Sequence, residues 1–335
     1  MGHHRHIIDR TGGRRLCLYS REPRTYRHFD GLPAVESASP HLRRHPLTGE
    51  WIGVAAARQG RTFLPNQAEC PFCVMRDGGP MTDIPVDDYE VAIFTNRFAA
   101  LSALPDTPPE LGIATAPGHG ICEVISYSAT HDASLATIGV DRIGLLIEAL
   151  GAEAVDLLAV DGIQYVLPFE NRGREIGVTI DHPHGQIYAL SHIPVEIERQ
   201  ANAFRHGNPL MDAMAGMAEE LVISRNDHGV AFVPEWARYP FEICVAPFER
   251  FAHPAEMTDA EIAGFAGLLD EAAKKLDAVF EMPMPLTMGW HMAPLGYEDV
   301  FHFHCVFQPL KRSRTKMKYL AAVEQITGLF LLDLP

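Results

Sequence analysis

The residues best suited to chemistry lie in one stretch, Asp181-His182-Pro183-His184-Gly185-Gln186-Ile187-Tyr188. On an extended backbone, residues two apart share a face, so His182, His184 and Gln186 line up. Pro183 has no N–H to give a ladder, which predicts a strand end or edge that ligands reach. A neutral imidazole is both a nucleophile and a metal ligand at physiological pH. Gln186 offers an amide N–H to a phosphoryl oxygen without adding a repelling charge. Histidines are more often simply satisfied in a polar patch, but three aligned polar side chains beside Pro and Gly favour a site.

A second signal is the C-x-x-C of Cys70 and Cys73. The spacing suggests metal or redox chemistry before a staple. A tetrahedral zinc site needs two further ligands. The chain has no second C-x-x-C, so histidines must supply them. His131 and His182 qualify, but by spacing alone so do His119, His45 and Cys122. A pair of buried or redox-active thiols is the alternative.

Strands and helices must position these groups. Segments 89–94, 121–127, 163–170 and 176–190 have the β-branched and aromatic content of strands. Residues 138–160 carry Ile143, Leu146, Ile147 and Leu150 at helical spacing. The second half repeats this order. Glu242-Ile243-Cys244-Val245 reads as a strand, and Thr258-Asp259-Ala260-Glu261 opens a helix to about Phe280 with a capping-box pattern. A strand with His302-Phe303-His304 closes the unit. His184 and His304 lie 120 residues apart, and the helical windows align at the same offset. So long a period indicates a duplicated domain rather than a solenoid. The expectation is an α+β fold, mainly an antiparallel sheet flanked by helices. It divides into an N-terminal arm (1–40) without clean periodicity, a first domain (41–200) and a second (201–335).

The 335 residues are 47% hydrophobic and 21% charged, an ordinary globular composition that argues against wholesale disorder. The net charge of −15 argues against a general nucleic-acid or membrane-surface binder. No apolar run approaches the ~20 residues of a membrane-spanning helix, and the N-terminus lacks a secretory core. A cytoplasmic enzyme is expected.

These residues resemble the galactose-1-phosphate uridylyltransferase family, the transferase branch of the histidine-triad superfamily. The similarity runs in order from about Arg44 to about Phe330. It includes Pro46-Leu47-Thr48-Gly49-Glu50-Trp51, Cys70-Pro71-Phe72-Cys73 and Phe169-Glu170-Asn171-Arg172-Gly173. It continues through His182-Pro183-His184-Gly185-Gln186, Pro240-Phe241-Glu242 and Gly289-Trp290-His291. The resemblance implies a duplicated histidine-triad-like fold and a ping-pong reaction in a homodimer. His184 would take the uridylyl group from UDP-glucose and pass it to galactose 1-phosphate, with Gln186 contacting the phosphoryl group. Arg58, Arg61, Asn96, Asn171 and Thr179 match phosphate and nucleotide contacts; Lys318, Tyr319 and Glu324 fit the hexose-phosphate pattern. The basic run 311–318 suits an anionic substrate.

The same resemblance makes Cys70, Cys73, His131 and His182 the ligands of a structural zinc. It implies a second metal, iron or zinc, at His291, His302 and His304. The usual fourth ligand is Glu. Gln200 stands there, with Glu198 two residues earlier, and a neutral amide is the poorer ligand. Arg97 replaces an Asp beside the ribose, and Ala322, Ile326 and Phe330 depart from the pattern near the C-terminus, so the uridylyl half-reaction is better supported than the acceptor sugar. The alternatives are a sister nucleotidyltransferase or phosphorylase using ADP-sugars or dinucleotides, and a zinc-stabilised binding module with a degenerate site.

Overall fold

Apolar side chains recurring at helical spacing create two long helices, and alternating ones create the strands they cover. In the computed structural model, which describes residues 2–33, 39–56, 58 and 64–332, strands β1 (His4–Arg10), β2 (Arg14–Ser20), β3 (His41–Arg44), β4 (Trp51–Val54), β5 (Val91–Thr95), β6 (Thr115–Pro117) and β7 (Gly120–Ser126) precede helix α1 (Val140–Leu158). Then come β8 (Tyr165–Arg172), β9 (His184–Leu190), α2 (Val195–Phe204) and α3 (Pro209–Gly216). β10 (Val222–Asn226), β11 (Gly229–Phe232) and β12 (Ile243–Pro247) lead into α4 (Asp259–Val279). β13 (Leu286–His291), β14 (His304–Pro309), the ribbon β15 (Lys311–Ser313) and β16 (Lys316–Met317), and α5 (Ala322–Thr327) follow. The capping box forms as expected: Glu261 N–H donates to Thr258 Oγ1, and Thr258 N–H to Glu261 Oε2. No helix among the described residues is long and apolar enough to cross a membrane.

Eleven strands form one sheet in the order β1-β2-β5-β7-β9-β8-β13-β14-β12-β11-β10. Its ladders are antiparallel. The duplication is visible outward from the β8–β13 pair, where β8-β9-β7-β5 runs one way and β13-β14-β12-β11 the other. α1 and α4 lie together on one face, where Leu146, Leu150, Phe265 and Leu269 join Ile187, Ala189, Cys305 and Phe307 in the main core. Burial therefore alternates along β9: Gly185, Ile187 and Ala189 are buried, and His184, Gln186 and Tyr188 are half-buried on the opposite face. β14 repeats this from His304 to Pro309.

Two expectations need correction. Ile176 ends a short 3-10 turn, residues 177–183 are irregular, and the strand begins only at His184. Gly177 at φ +79° and Pro183 account for the break. The arm 1–40 also contains an ordered hairpin. β1 and β2 turn through Gly12 and Gly13, both at positive φ, and β2 pairs with β5 to widen the sheet. Leu16 and Leu18 enter one apolar cluster and Cys17 and Tyr19 another, so both faces are buried and no alternation appears.

The hairpin's cations meet carboxylates far along the chain. Arg15 bonds Glu123 (3.0 Å) and Glu153, Arg5 bonds Glu153 (3.0 Å) and Asp156 (2.7 Å), and Arg21 bonds Glu148 (2.5 Å). Tyr19 donates to Glu153 (2.8 Å). Glu123 and Glu153 are buried, and burial followed by the charge of Glu153 pushes the Glu123 carboxyl up to about 7. Arg15→Met leaves the buried Glu123 without its ion-pair partner and Glu153 with Arg5 alone, at an expected cost of ~3–5 kcal/mol in urea unfolding. A carboxyl raised in the folded state binds more protons than when unfolded. Its stabilisation is thus complete below its ordinary pKa and lost as pH rises through about 7. Glu123→Gln is expected to flatten the fall in melting temperature across that window; an unchanged profile would refute this.

Candidate active site and metal cluster

The site grows from the point where β9 begins. His184 Nδ1–H donates to the carbonyl of His182 at 2.7 Å. That bond fixes the tautomer and leaves the Nε2 lone pair free to attack. Burial lowers the His184 pKa, so the ring stays neutral at physiological pH. The Phe72 ring stands edge-on to it with centroids 5.0 Å apart. Gly185 is dictated by space: a Cβ there would lie 2.5 Å from Tyr127 Oη and 2.8 Å from the Phe169 carbonyl. Gly185→Ala is expected to cost ~1–3 kcal/mol by overpacking and to displace His184. Thermal melting alongside the turnover rate checks this, and a variant equal to the parent in both refutes it.

Gln186 follows two residues on, and Asn96 Nδ2 donates to its Oε1 at 3.4 Å. Phe169 of β8 pairs with Gln186. Phe169 and Asn171, two residues on, therefore share the face of Gln186 and His184. Arg58 donates to Tyr188 Oη at 2.8 Å, next along that face. The Thr179 carbonyl accepts from Leu64 N–H at 2.7 Å. Arg61 lies outside the described residues. Arg97, where an Asp was expected, lies over the Phe98 ring and reaches Asp83 at 3.7 Å.

Lys318 and Glu324 do not present free charges. Both are buried; Lys318 Nζ donates to Glu324 Oε1 (2.5 Å) and to the Leu331 carbonyl (2.9 Å). The Leu331 N–H, then Lys318, hold the Glu324 carboxyl down at about 2. Tyr319 and Ile326 are exposed, and Phe330 packs on Tyr239 with the Arg238 guanidinium over its ring. Lys318 and Glu324 thus fasten the C-terminal segment, and their bonds join them to one another rather than to the His184 strand.

Cys70, Cys73, His131 and His182 bring their donor atoms within 4.8 Å of one another. His182 Nε2–H donates to the Ser128 carbonyl (2.7 Å), with Tyr89 Oη at 3.0 Å, so Nδ1 turns its lone pair to Cys73 Sγ (3.5 Å) and Cys70 Sγ (3.8 Å). His131 Nδ1 lies 3.4 Å from Cys73 Sγ. The Cys73 hydrogen bond holds the Cys70 thiol below its usual range. Two thiols and two imidazole nitrogens with a second layer of hydrogen bonds fit a tetrahedral metal, and this group can hold a metal ion. Phe72, Tyr89 and Ser128 are absent from the sequence expectations; only Phe72, inside the C-x-x-C, carried a sequence signal.

The three histidines implied for a second metal have other partners in this structure. The His291 and His304 rings stack at 4.7 Å and 9°, and His302 is bonded on both nitrogens.

Sequence models for the N-terminal and C-terminal domains of galactose-1-phosphate uridyl transferase match residues 32–194 and 195–324. The chain belongs to the galactose-1-phosphate uridylyltransferase family. Members named galactose-1-phosphate uridylyltransferase are 35% identical in Thermotoga maritima, over 87% of this chain and 93% of that protein, and 32% identical in Streptomyces lividans, over 85% and 79%. A solved uridylyltransferase superposes with a TM-score of 0.78 at 28% identity, covering 88% of this chain and 94% of that one. An ADP-glucose phosphorylase from Arabidopsis thaliana, at TM-score 0.65 and 24% identity over 87% and 94%, shares the fold. The N-terminal hairpin (4–20) precedes the part of the chain that matches the family's domains.

Proposed function

We propose that this chain is a UDP-glucose–hexose-1-phosphate uridylyltransferase, with galactose 1-phosphate as acceptor, working through a uridylyl-His184 intermediate. The observation that carries the reading is the His184 tautomer: Nδ1–H is committed to the His182 carbonyl and Nε2 is left as nucleophile on the face shared with Gln186. Nε2 attacks the α-phosphorus, the N–P bond forms, and the bond to the glucose 1-phosphate oxygen breaks. The imidazolium that results keeps its Nδ1–H on the carbonyl, which steadies the positive charge. The leaving phosphate is a weak base and needs little protonation, so positioning and charge stabilisation dominate. In the second half-reaction a phosphate oxygen of galactose 1-phosphate attacks the same phosphorus, and His184 leaves with its electron pair. Gln186, held by Asn96, is assigned the contact to the transferring phosphoryl group, and Arg58, Arg61, Asn171 and Thr179 the nucleotide and phosphates.

Cys70, Cys73, His131 and His182 would hold zinc, which when bound supplies a structural cross-link. None of the six cysteines is in a disulfide, which suits a reducing cytoplasm. The exposed Tyr319, Val323, Ile326, Leu329 and Leu331 of the C-terminal segment support a homodimer. Sedimentation as a monomer at micromolar concentration would reject that assembly.

Intact-protein mass after mixing with UDP-glucose or ADP-glucose tests the reaction. A uridylyl adduct that galactose 1-phosphate discharges is expected. An adenylyl adduct would transfer the reading to an ADP-sugar enzyme, and no adduct with either would remove the covalent mechanism.

A further inference from the structure

The first half of the chain gathers two cysteines and two histidines around one point; the second half repeats the H-x-H strand and completes it differently. His304 Nδ1–H donates to the His302 carbonyl at 2.8 Å, as His184 does to His182. His302 Nε2–H donates to the Pro247 carbonyl at 2.9 Å, as His182 does to Ser128. Both inner histidines thus have their Nδ1 lone pair fixed. At His182 it faces thiols; at His302 it faces the Asn208 side-chain amide, 2.9 Å away.

The orientation of that amide is determined by its other bond. Asn208 caps α3, and its Oδ1 accepts from Met211 N–H at 3.1 Å. The Nδ2 end must therefore face His302 and donate to it. A hydrogen-bond donor stands where a metal would have to be, and His302 is fully buried.

His291 and His304 each have one ring nitrogen committed. His291 Nδ1–H donates to Gln200 Oε1 at 3.1 Å. The His291 and His304 rings are stacked and nearly parallel, so their free Nε2 lone pairs lie in parallel planes and do not converge on one point. A carboxylate is missing as well. Glu198 is exposed, and Glu196, one turn before Gln200, is held by Arg238 at 2.7 Å.

We infer that the second half holds these histidines by hydrogen bonds to two side-chain amides in place of a metal, His302 accepting from Asn208 and His291 donating to Gln200, so that the protein takes one metal ion per chain. The two amides satisfy the buried imidazoles without a charge, which a low-dielectric site favours.

The test is metal content. The full chain is loaded anaerobically with excess zinc(II) or iron(II), desalted, and assayed by plasma mass spectrometry. One equivalent is expected. A second equivalent would overturn the inference, and its loss in His291→Ala would place it at these histidines. The double variant Gln200→Glu with Asn208→Ala removes the donor and adds the carboxylate, and is expected to rise from one equivalent to two. If it folds, by its circular dichroism, and still retains one, the amides are not what keeps the metal out and the inference fails. Should it not fold, the parent's stoichiometry decides.

Discussion

His184→Ala is expected to reduce uridylyl exchange by roughly 10⁴- to 10⁶-fold, the scale on which loss of a covalent nucleophile is felt. The variant gives no mass adduct with UDP-glucose, yet melts close to the parent and keeps its metal. This follows from the division of labour along residues 182–184. The His182 ring faces the cysteines, while its backbone carbonyl alone holds His184. Removing the second imidazole therefore leaves the metal ligands untouched. Gln186→Ala takes away one phosphoryl contact and is expected to cost about 10²–10³ in rate while still forming the adduct slowly. Stopped-flow with labelled UDP-glucose separates the two. An adduct surviving in His184→Ala would mean that the nucleophile lies elsewhere.

The second large effect is expected on the metal cluster. Cys73→Ser replaces a thiolate by a poor ligand, and the metal is lost. Cys70 to Cys73, His131 and His182 come from three separate parts of the chain, so the cross-link closes long loops. Small zinc-dependent folds gain about 10–16 kcal/mol from their ion. Here the sheet has its own core, and the loss resembles removal of a native cross-link, roughly 3–5 kcal/mol. Activity should fall about 100-fold as well, because a displacement near 1 Å is enough for that: Phe72, inside the C-x-x-C, packs on His184 itself. Chelation of the parent should reproduce both effects, and zinc should restore them. Full activity in metal-free protein would exclude any role of the cluster in placing His184.

Much of this arrangement is legible in the sequence because it is local. The helix expected over 138–160 spans 140–158, and the one opened by Thr258 ends at Val279, since long apolar periods and a capping box are short-range signals. His184 and Gln186 read directly as one face, whereas His182, expected on that face, precedes the strand and turns its ring to the cysteines. What stayed hidden depends on partners distant in sequence. The arginines of β1 and β2 look like a solvated arm until Glu123, Glu148 and Glu153 are seen beside them. Lys318 and Glu324 fit a hexose-phosphate pattern in the sequence, where nothing shows that each is bonded to the other. Asn208 carries no pattern at all; only the cap it makes on α3 and the lone pair of His302 give it meaning.

The N-terminal hairpin has a practical bearing on where this protein starts as a physical object. The recognisable domain begins at residue 32, and a gene cut to that boundary would look conservative. It would remove Arg5, Arg15 and Arg21 at a stroke, and with them counter-ions of four carboxylates on α1 and β7. It would also strip β2 from the edge of β5, exposing unpaired backbone along Val91–Phe94. The minimal folding unit is therefore longer than the homologous one. A protein trimmed to the shared core should be sticky and poorly soluble even though every residue assigned to the reaction is still present.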